Sequence, residues 1–336
     1  GDQVMKKFIT LYSFSCMLVA QTNVATTAAS FLEIGAGAKS LSMGGAYVSV
    51  ANDVSALYWN PSGIVNVERP SVHIYHSPWL VKTSFYHGGA VVPMGRAGVL
   101  GVSYTTVTMD EMDVRTVTYP DGTGEKFDVS NLAMGIAYAK KLTDRFSFGF
   151  QTKFVQEKIW KMRAKGLAVD IGTLFLTTSG MRIGMSISNF GGKMGMGGIN
   201  TAVDYDVDET IYGNNDKIDA HLDAAEWPLP LIFRFGISRD FTLPGKQRIT
   251  VAADGIHPNN NVETVNMGLE YGFSEILFLR LGRSHLFMED AQQESLSYGL
   301  GLNYKIPRGP QLRVDYVLQP FGVFNNNTGY SIYITF

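Results

Sequence analysis

Side chains alternate between two faces in one segment after another of this 336-residue chain. Four phenylalanines between residues 146 and 154 share one parity, whereas Ser147, Gly149, Gln151 and Lys153 share the other. Because successive side chains of a β-strand point to opposite faces, this pattern predicts strands with one apolar face and one polar or small face. The same alternation recurs in residues 132–138, 231–238, 265–273, 296–303 and 312–318.

Soluble β-sandwiches also alternate, so the pattern alone leaves two fold classes open. Composition favours a membrane barrel, because charged residues make up 17% of the chain against roughly 25% in a soluble domain. The polar parity is rich in glycine, and the aromatic side chains lie mostly near strand ends, as an interfacial girdle requires. The net charge of −2 gives no basic footprint for nucleic acid.

The amino end predicts export. Met5-Lys6-Lys7 precedes an apolar run over residues 8–20, and small residues follow at 25–30, as in a secretory signal peptide cleaved between residues 20 and 29. The lone cysteine, Cys16, lies inside this segment and can form no internal disulfide. No later run reaches the roughly 18 apolar residues of a membrane helix. A membrane-spanning form must therefore be a closed barrel.

Counting the alternating segments predicts an all-β fold, an antiparallel transmembrane barrel of about fourteen strands. An even number is typical of single-chain bacterial barrels. The first two strands are the least clear, because His73, His76 and His87 blur the parity. The predicted strands begin near residues 71, 83, 98, 130, 145, 166, 181, 229, 246, 262, 275, 294, 311 and 328.

The lengths of the connections support the same topology. Every second connection is short and rich in turn-forming residues, as at residues 93–97 and 141–144. We expect longer connections on the other side, at residues 109–128, 160–165, 191–227, 285–293 and 320–327. Short periplasmic turns and longer outer loops are the rule for outer-membrane barrels. Residues 191–227 are the longest of these stretches, and we expect them to be the main outer contact surface.

In the last segment of the sequence, one face is apolar and consists of Tyr330, Ile332, Ile334 and Phe336. A last strand that ends in an aromatic residue resembles the signal that the barrel-assembly machinery of the outer membrane recognises. We therefore expect an integral protein of the bacterial outer membrane, in contact with its lipid.

Residues 35–65 break the alternation and are rich in glycine and alanine. They contain Met43-Gly44-Gly45-Ala46, then Asn52-Asp53, then Asn60-Pro61-Ser62-Gly63. This run resembles the amino-terminal hatch of the long-chain fatty-acid transporter (FadL) superfamily and its PorV/PorQ branch. Ser62 departs from the alanine usual in the fatty-acid transporters, and Tyr58-Trp59 is closer to the PorV/PorQ side. Further similarities to that branch are Leu229-Pro230, Gly268-Leu269-Glu270-Tyr271, Leu279-Arg280-Leu281-Gly282 and Asp315-Tyr316.

The resemblance implies a division into upstream residues and signal peptide (1–29), a hatch in the lumen (30–69) and a barrel (70–336). It also implies two functions. A PorV-type protein serves type IX secretion and binds carboxyl-terminal signals of cargo proteins at the outer surface. A fatty-acid transporter takes up hydrophobic small molecules and releases them sideways through a kink in the wall. We favour the secretion role, with secretion components or cargo proteins as partners. The alternatives are uptake of a hydrophobic small molecule and a purely structural barrel.

Two groups of residues are candidates for the working parts of such a barrel. The first is the hatch motif Tyr58, Trp59, Asn60, Pro61, Ser62 and Gly63, a strong turn that forms part of a gate or simply packs the hatch. The second is a set of charges on the inward parity, with mixed signs that favour a salt-bridge network over a selective pore ring. These charges are Asp170, Arg182, Arg234, Arg248, Asp254, Glu270, Arg280, Arg313 and Asp315.

The sequence gives no sign of catalysis or of a cofactor. Six scattered histidines form no recognisable catalytic triad. Zinc-binding Cys/His spacing is absent, and the acidic run at residues 204–209 lacks the glycine and glutamate of a calcium-binding EF-hand loop. We expect neither an enzyme nor a metalloprotein.

Overall fold

The structure is a computed structural model that describes residues 26–205, 218–287, 295–321 and 324–336. The predicted charged and apolar regions of the signal peptide, at residues 5–20, lie outside these ranges. So does most of the acidic run at 204–209.

Fourteen antiparallel strands form a closed barrel, which confirms the predicted fold class and strand number. The barrel closes where the last strand pairs with the first, with His73 opposite Tyr333. The strands are β1 (Ser71–Pro78), β2 (Thr83–Pro93), β3 (Val99–Met109), β4 (Val129–Lys141), β5 (Phe146–Ile159), β6 (Met162–Leu176), β7 (Met181–Gly191), β8 (Ile232–Leu243), β9 (Gln247–Pro258), β10 (Thr264–Phe273), β11 (Leu277–Leu286), β12 (Ser295–Lys305), β13 (Gln311–Phe321) and β14 (Phe324–Thr335).

The two parities of each strand face opposite sides of the wall. In β5, Phe148, Phe150 and Phe154 are exposed outward, whereas Gln151 and Lys153 are buried. An outward belt of large apolar side chains matches the lipid-facing band of an outer-membrane barrel. Each strand therefore satisfies its backbone through its neighbours while showing hydrocarbon to lipid.

The three histidines that made the parity of the first two strands unclear lie on different faces of the wall. His73 and His87 are fully buried on the inward face. His76 instead lies on the outward parity and stacks on Tyr86, with ring centroids 4.6 Å apart. A stacked imidazole presents a flat apolar surface, which explains why a polar residue type can occupy that parity.

Short elements occupy the rest of the described chain. The helices are α1 (Ala38–Ser42) and α2 (Ala56–Trp59), and 3-10 turns span Ser30–Glu33, Pro61–Asn66, Leu80–Lys82, Gly95–Ala97 and Ile199–Thr201. Short strand pairs join Met112–Asp113 to Lys126–Phe127, Lys193–Met194 to Trp227–Pro228, and Ala202–Tyr205 to Ile218–His221, while Gly197–Gly198 pairs with β6. Within the described ranges, no helix combines the length and apolar character needed to cross a membrane.

The connections alternate in length less regularly than predicted. All connections at the end where Ser71 begins and Thr335 finishes are short, and we call this the short-turn end. At the opposite, long-loop end, two connections expected to be long are tight. Only Trp160 and Lys161 separate β5 from β6, because both strands continue their pairing to Ile159 and Met162. The pairing of β13 with β14 also extends as far as Phe321 opposite Phe324. By the outer-membrane rule the short-turn end faces the periplasm.

Replacing Phe336 with alanine is expected to lower the assembled fraction of the protein several-fold. Phe336 is 62% exposed, and its amide donates to the Pro70 carbonyl oxygen next to the seam between β1 and β14. The matched control is Phe273→Ala, which removes an exposed phenylalanine from the short-turn end of β10. The measurement is the heat-modifiable folded form in outer-membrane fractions. Equal assembly of the two variants would contradict a special role for the terminal aromatic residue.

Candidate functional site

Residues 35–65, which we call the inner segment, lie against the inward face of the wall. All of them are buried except Asn52 and Tyr58. Just before the inner segment, the Ala28 amide donates to the Pro228 carbonyl oxygen at 2.9 Å, beside the long connection between β7 and β8. After it, Val67 leads into β1 at the short-turn end. The inner segment therefore runs through the lumen from one end of the barrel to the other.

The inner segment approaches the wall so closely that some positions admit only glycine. A Cβ atom on Gly282 would collide with the backbone of Gly44, and one on Gly149 would lie 2.6 Å from the Pro61 carbonyl carbon. Gly44 itself has a φ of 66° and would clash with the Arg283 backbone if it carried a side chain. Gly149 and Gly282 of the wall thus face the inner segment directly.

Asn60 connects the hatch motif to the wall. Its Oδ1 accepts from the Ser62 amide at 3.2 Å and from the Ser62 hydroxyl at 2.7 Å, which caps the 3-10 turn that begins at Pro61. Its Nδ2 donates to the carbonyl oxygens of Val48 and, in β6, Thr173, at 2.8 and 3.1 Å. Asn60 is fully buried. Its amide group therefore fixes the turn predicted at Asn60-Pro61 and ties that turn to the wall.

The aromatic residues of the motif also make internal hydrogen bonds. The Tyr58 hydroxyl donates to the Leu32 carbonyl oxygen at 2.6 Å and accepts from the Gly35 amide at 2.9 Å. Trp59 Nε1 donates to the Ala36 carbonyl oxygen at 2.7 Å. These bonds hold residues 32–36, around the start of the inner segment, against Tyr58 and Trp59 near its end.

The cavity beside Tyr58 is very small. It lies between the inner segment and the inward faces of β2–β8, with Lys153, Asp170 and Arg234 in its lining, and has a volume of about 20 Å³. A water molecule needs at least about 10–15 Å³, whereas ligand pockets usually measure about 300–1,000 Å³. Three buried atoms around it have no hydrogen-bond partner among the residues that the structure describes: Gln151 Oε1, His87 Nε2 and Arg234 Nε. Internal water suits this space and these atoms better than a hydrophobic ligand does.

Five of the predicted inward charges form one continuous chain. Glu270 pairs with Arg248 at 2.9 Å and with Arg280 at 2.6 Å, and Arg280 pairs with Asp315 at 2.8 Å. Arg313 pairs with Asp315 at 2.9 Å. The free-energy cost of removing these charges from water is offset only where every charge has well-placed partners, as each of these five charges has.

The chain of ion pairs is connected to the inner segment by a residue that the sequence analysis did not select as a site residue. Asp53 accepts from Arg313 Nη2 at 2.6 Å and lies 3.8 Å from Lys39 Nζ. Burial alone would raise the pKa of Asp53, but Arg313 and Lys39 outweigh it and hold that pKa well below its usual value. Asp53 is thus charged and links the inner segment to β13. The Asn52-Asp53 pair was visible in the sequence, but its partner lies 260 residues away.

Of the other four predicted charges, Arg182 connects to this chain of ion pairs through Asp240, which lies 3.8 Å from Arg248, whereas the remaining three lie outside it. Asp254 Oδ2 accepts from the amides of Tyr47 and Val48 at 2.6 and 2.8 Å, a second link to the inner segment. Asp170 pairs with Lys153 at 2.8 Å, and Arg182 pairs with Asp240 at 2.8 Å. Arg234 lies 5.3 Å above the Trp59 ring and donates to the Ser188 hydroxyl at 3.2 Å.

The long-loop end carries exposed apolar side chains on the connection between β7 and β8. Ile199, Leu222 and Trp227 are 66%, 62% and 48% exposed. The described part of this connection includes the pair Ala202–Tyr205 and Ile218–His221, which forms a two-stranded sheet separate from the barrel wall. Exposed apolar groups on ordered loops are typical of contact surfaces for partners. Within the same ranges, no group of three His, Cys, Asp or Glu side chains could hold a metal ion.

The closed fourteen-strand barrel defines an integral outer-membrane protein with a FadL-like fold. The toluene transporter TodX of Pseudomonas putida matches with a TM-score of 0.56 and 12% identity, over 89% of this chain and 96% of that one. A FadL homologue of Pseudomonas aeruginosa matches with a TM-score of 0.53 and 11% identity, over 94% and 99%. A sequence search against curated proteins found no match.

The family follows from the sequence of the chain. Residues 18–256, more than half of the chain, match the family profile described as "Type IX secretion system protein PorV". The chain therefore belongs to the PorV family, and the predicted resemblance to that family is confirmed. Its location in the outer membrane is confirmed with it.

Proposed function

We propose that this protein serves type IX secretion by binding secreted proteins or other secretion components at its long-loop end. Membership of the PorV family supports this role. The observation that carries the proposal is the packing of the inner segment against the wall, which leaves only about 20 Å³ beside Tyr58. A barrel whose interior is filled in this way can bind partners only at its outer surface. The proposed function involves no catalytic step.

In this proposal residues 30–69 act as a hatch and residues 70–336 as the barrel that holds it. The hydrogen bonds of Asn60 and Asp254 and the Asp53–Arg313 ion pair support the assignment, because they tie the hatch to three different strands. The charge network holds the hatch in place and blocks free ion flow. The barrel-assembly machinery and outer-membrane lipid are the further partners we propose.

The contact surface we propose is the connection between β7 and β8, together with the other loops of the long-loop end. Its exposed apolar residue Ile199 lies in a 3-10 turn, and Leu222 directly follows the strand Ile218–His221, so neither belongs to the wall. Such side chains become buried when a partner docks, and burial of apolar surface stabilises the complex.

The experiment that tests this role changes the outer surface alone. The double variant Ile199→Asp, Leu222→Asp should reduce delivery of type IX cargo to the cell surface several-fold, because each aspartate would have to be desolvated at the interface. The matched control is Leu142→Asp, a 58% exposed leucine in the turn between β4 and β5 at the short-turn end. Heat-modifiable migration measures folded barrel in both variants. Normal delivery by the double variant, with normal barrel levels, would contradict the proposed surface.

Uptake of hydrophobic small molecules is the competing function. Radiolabelled fatty acid and toluene uptake by cells with and without the protein separates the two. The small cavity beside Tyr58 leads us to expect equal uptake. If cells without the protein lost uptake but still delivered cargo normally, the transporter function would be favoured instead.

A further inference from the structure

A polar pocket opens at the short-turn end, between the inner segment and the wall. Its volume is about 290 Å³, close to the lower end of ligand pockets, which is about 300 Å³. Asn52 and Asp53 of the inner segment, Arg69 of the linker to β1, and Gln311 and Arg313 of β13 contribute to its lining. The pocket therefore joins parts of the chain that lie far apart in sequence.

Arg313 is a fixed cation in this lining. Its Nε donates to Asp315 at 2.9 Å and its Nη2 to Asp53 at 2.6 Å. The guanidinium lies 3.7 Å from the centroid of the Tyr333 ring. With two edges occupied and one face on an aromatic ring, the group is held rigidly, and its Nη1 has no acceptor among the described residues.

Arg69 is ordered by a belt of side-chain amides. Its Nη2 donates to Gln311 Oε1 at 3.2 Å, and Gln311 Nε2 donates to Asn303 Oδ1 at 2.8 Å. Asn303 Nδ2 in turn donates to the Glu275 carbonyl oxygen at 3.0 Å. The Nε and Nη1 donors of Arg69 have no acceptor within the described chain. Asn52 adds its Nδ2, because its Oδ1 is occupied by Lys39 Nζ at 2.8 Å.

The carboxylates in the pocket lining are those of Asp53 and Glu68. Asp53 accepts from Arg313, from the Tyr47 hydroxyl and from Ser55, so its oxygens are already occupied. Glu68 is exposed in the same lining. Both guanidinium groups of the pocket lining thus keep free donors, and guanidinium groups match the planar geometry of carboxylate and phosphate.

We propose that this pocket binds an oxyanion, a carboxylate or phosphate group, between Arg69 and Arg313. The group comes either from a free small anion of the periplasm or from an acidic side chain of a periplasmic polypeptide. A ligand in this position contacts the inner segment, the linker and β13 together. Its binding therefore stabilises the inner segment against the wall, independently of what binds at the long-loop end.

The test measures ligand binding by the purified full-length protein in detergent, by calorimetry and by the midpoint temperature of the heat-modifiable transition. The probes are inorganic phosphate and the tripeptide Ala-Glu-Ala, each against sodium chloride at equal ionic strength. Arg69→Gln removes one guanidinium without breaking the Asp53–Arg313 pair. Arg96→Gln is the matched control, because Arg96 is an exposed arginine in the turn between β2 and β3 at the same end.

We expect one or both probes to raise the midpoint of the wild type and of Arg96→Gln, since a ligand of the folded state stabilises it. Affinity should fall about tenfold in Arg69→Gln, through loss of a charged hydrogen-bonding group. Binding of phosphate alone identifies a free anion, and binding of the tripeptide identifies a polypeptide ligand. Equal affinities in all three proteins would mean an adventitious ion only and would overturn the proposal, as would the absence of binding by both probes.

Discussion

Deleting residues 36–63 is expected to raise the ion conductance of the barrel in planar bilayers from near zero to that of an open pore. The inner segment packs against the inward face of the wall and is tied to it at Asn60, Asp254 and Arg313, and in the proposed function it acts as the hatch. A barrel of fourteen strands has a lumen much wider than its own side chains can fill, so the increase should be at least about an order of magnitude. Unchanged conductance in an intact barrel would show that these residues do not close the pore.

A point variant gives the same test without a deletion. Gly282→Val places a branched side chain where the backbone of Gly44 lies, so the inner segment must move away from β11. We expect intermittent conductance and a lower midpoint of the heat-modifiable transition. Gly255→Val is the control for adding a β-branched residue to a strand, since a Cβ there meets only the Phe235 carbonyl oxygen at 3.9 Å. Equal conductance of the two variants would contradict the role of close packing.

Replacing Arg280 with methionine is expected to lower the free energy of unfolding by about 3 kcal/mol, near the lower end of the range for breaking a buried ion pair. Arg280 bridges Glu270 and Asp315, and all three side chains are at most 2% exposed. The value is near the lower end because Arg248 and Arg313 each retain one of the two carboxylates.

The measurement for Arg280→Met is reversible urea unfolding in lipid vesicles. Lys126→Met is the control, because the Lys126–Glu111 pair at 3.7 Å is 60% and 66% exposed and an exposed pair contributes about 0–1 kcal/mol. If both variants lost the same stability, the buried chain of charges would not hold the barrel together.

The periodicity of the strands could be determined from sequence because it is local. Phe148 and Gln151 belong to opposite faces whatever their neighbours are, since the backbone alone sets the period of two. The strand number and the short turns followed in the same way, and both agree with the structure. The connections around residues 160–165 and 320–327 were predicted too long, because strand pairing continues past the apolar band into polar sequence such as Arg163 and Lys165. Hydrophobic alternation marks where lipid contact ends, and hydrogen bonding continues beyond it.

The motif over residues 58–63 has a local turn that could be predicted from sequence and long-range contacts that could not. Its residue types predicted a turn at Asn60-Pro61, and the structure has that turn. That the Asn60 side chain also reaches the Thr173 carbonyl oxygen depends on β6 lying opposite, which no local pattern records. The same holds for Arg234, which was assigned to the inward parity correctly but lies over Trp59 rather than in the chain of ion pairs.

The sequence by itself determined the fold class, the family and the inward parity of the charges, because alternation and motif identity are properties of neighbouring residues. Only the tertiary structure decided which charges meet. Asp53 and Arg313 are 260 positions apart, and their 2.6 Å contact exists because the inner segment is folded back through a barrel that closes between β1 and β14. The pocket at the short-turn end has the same origin, since its walls come from the inner segment and from β13. Such residues meet because the fold brings distant parts of the chain together, and a local sequence pattern does not record which distant residues will meet.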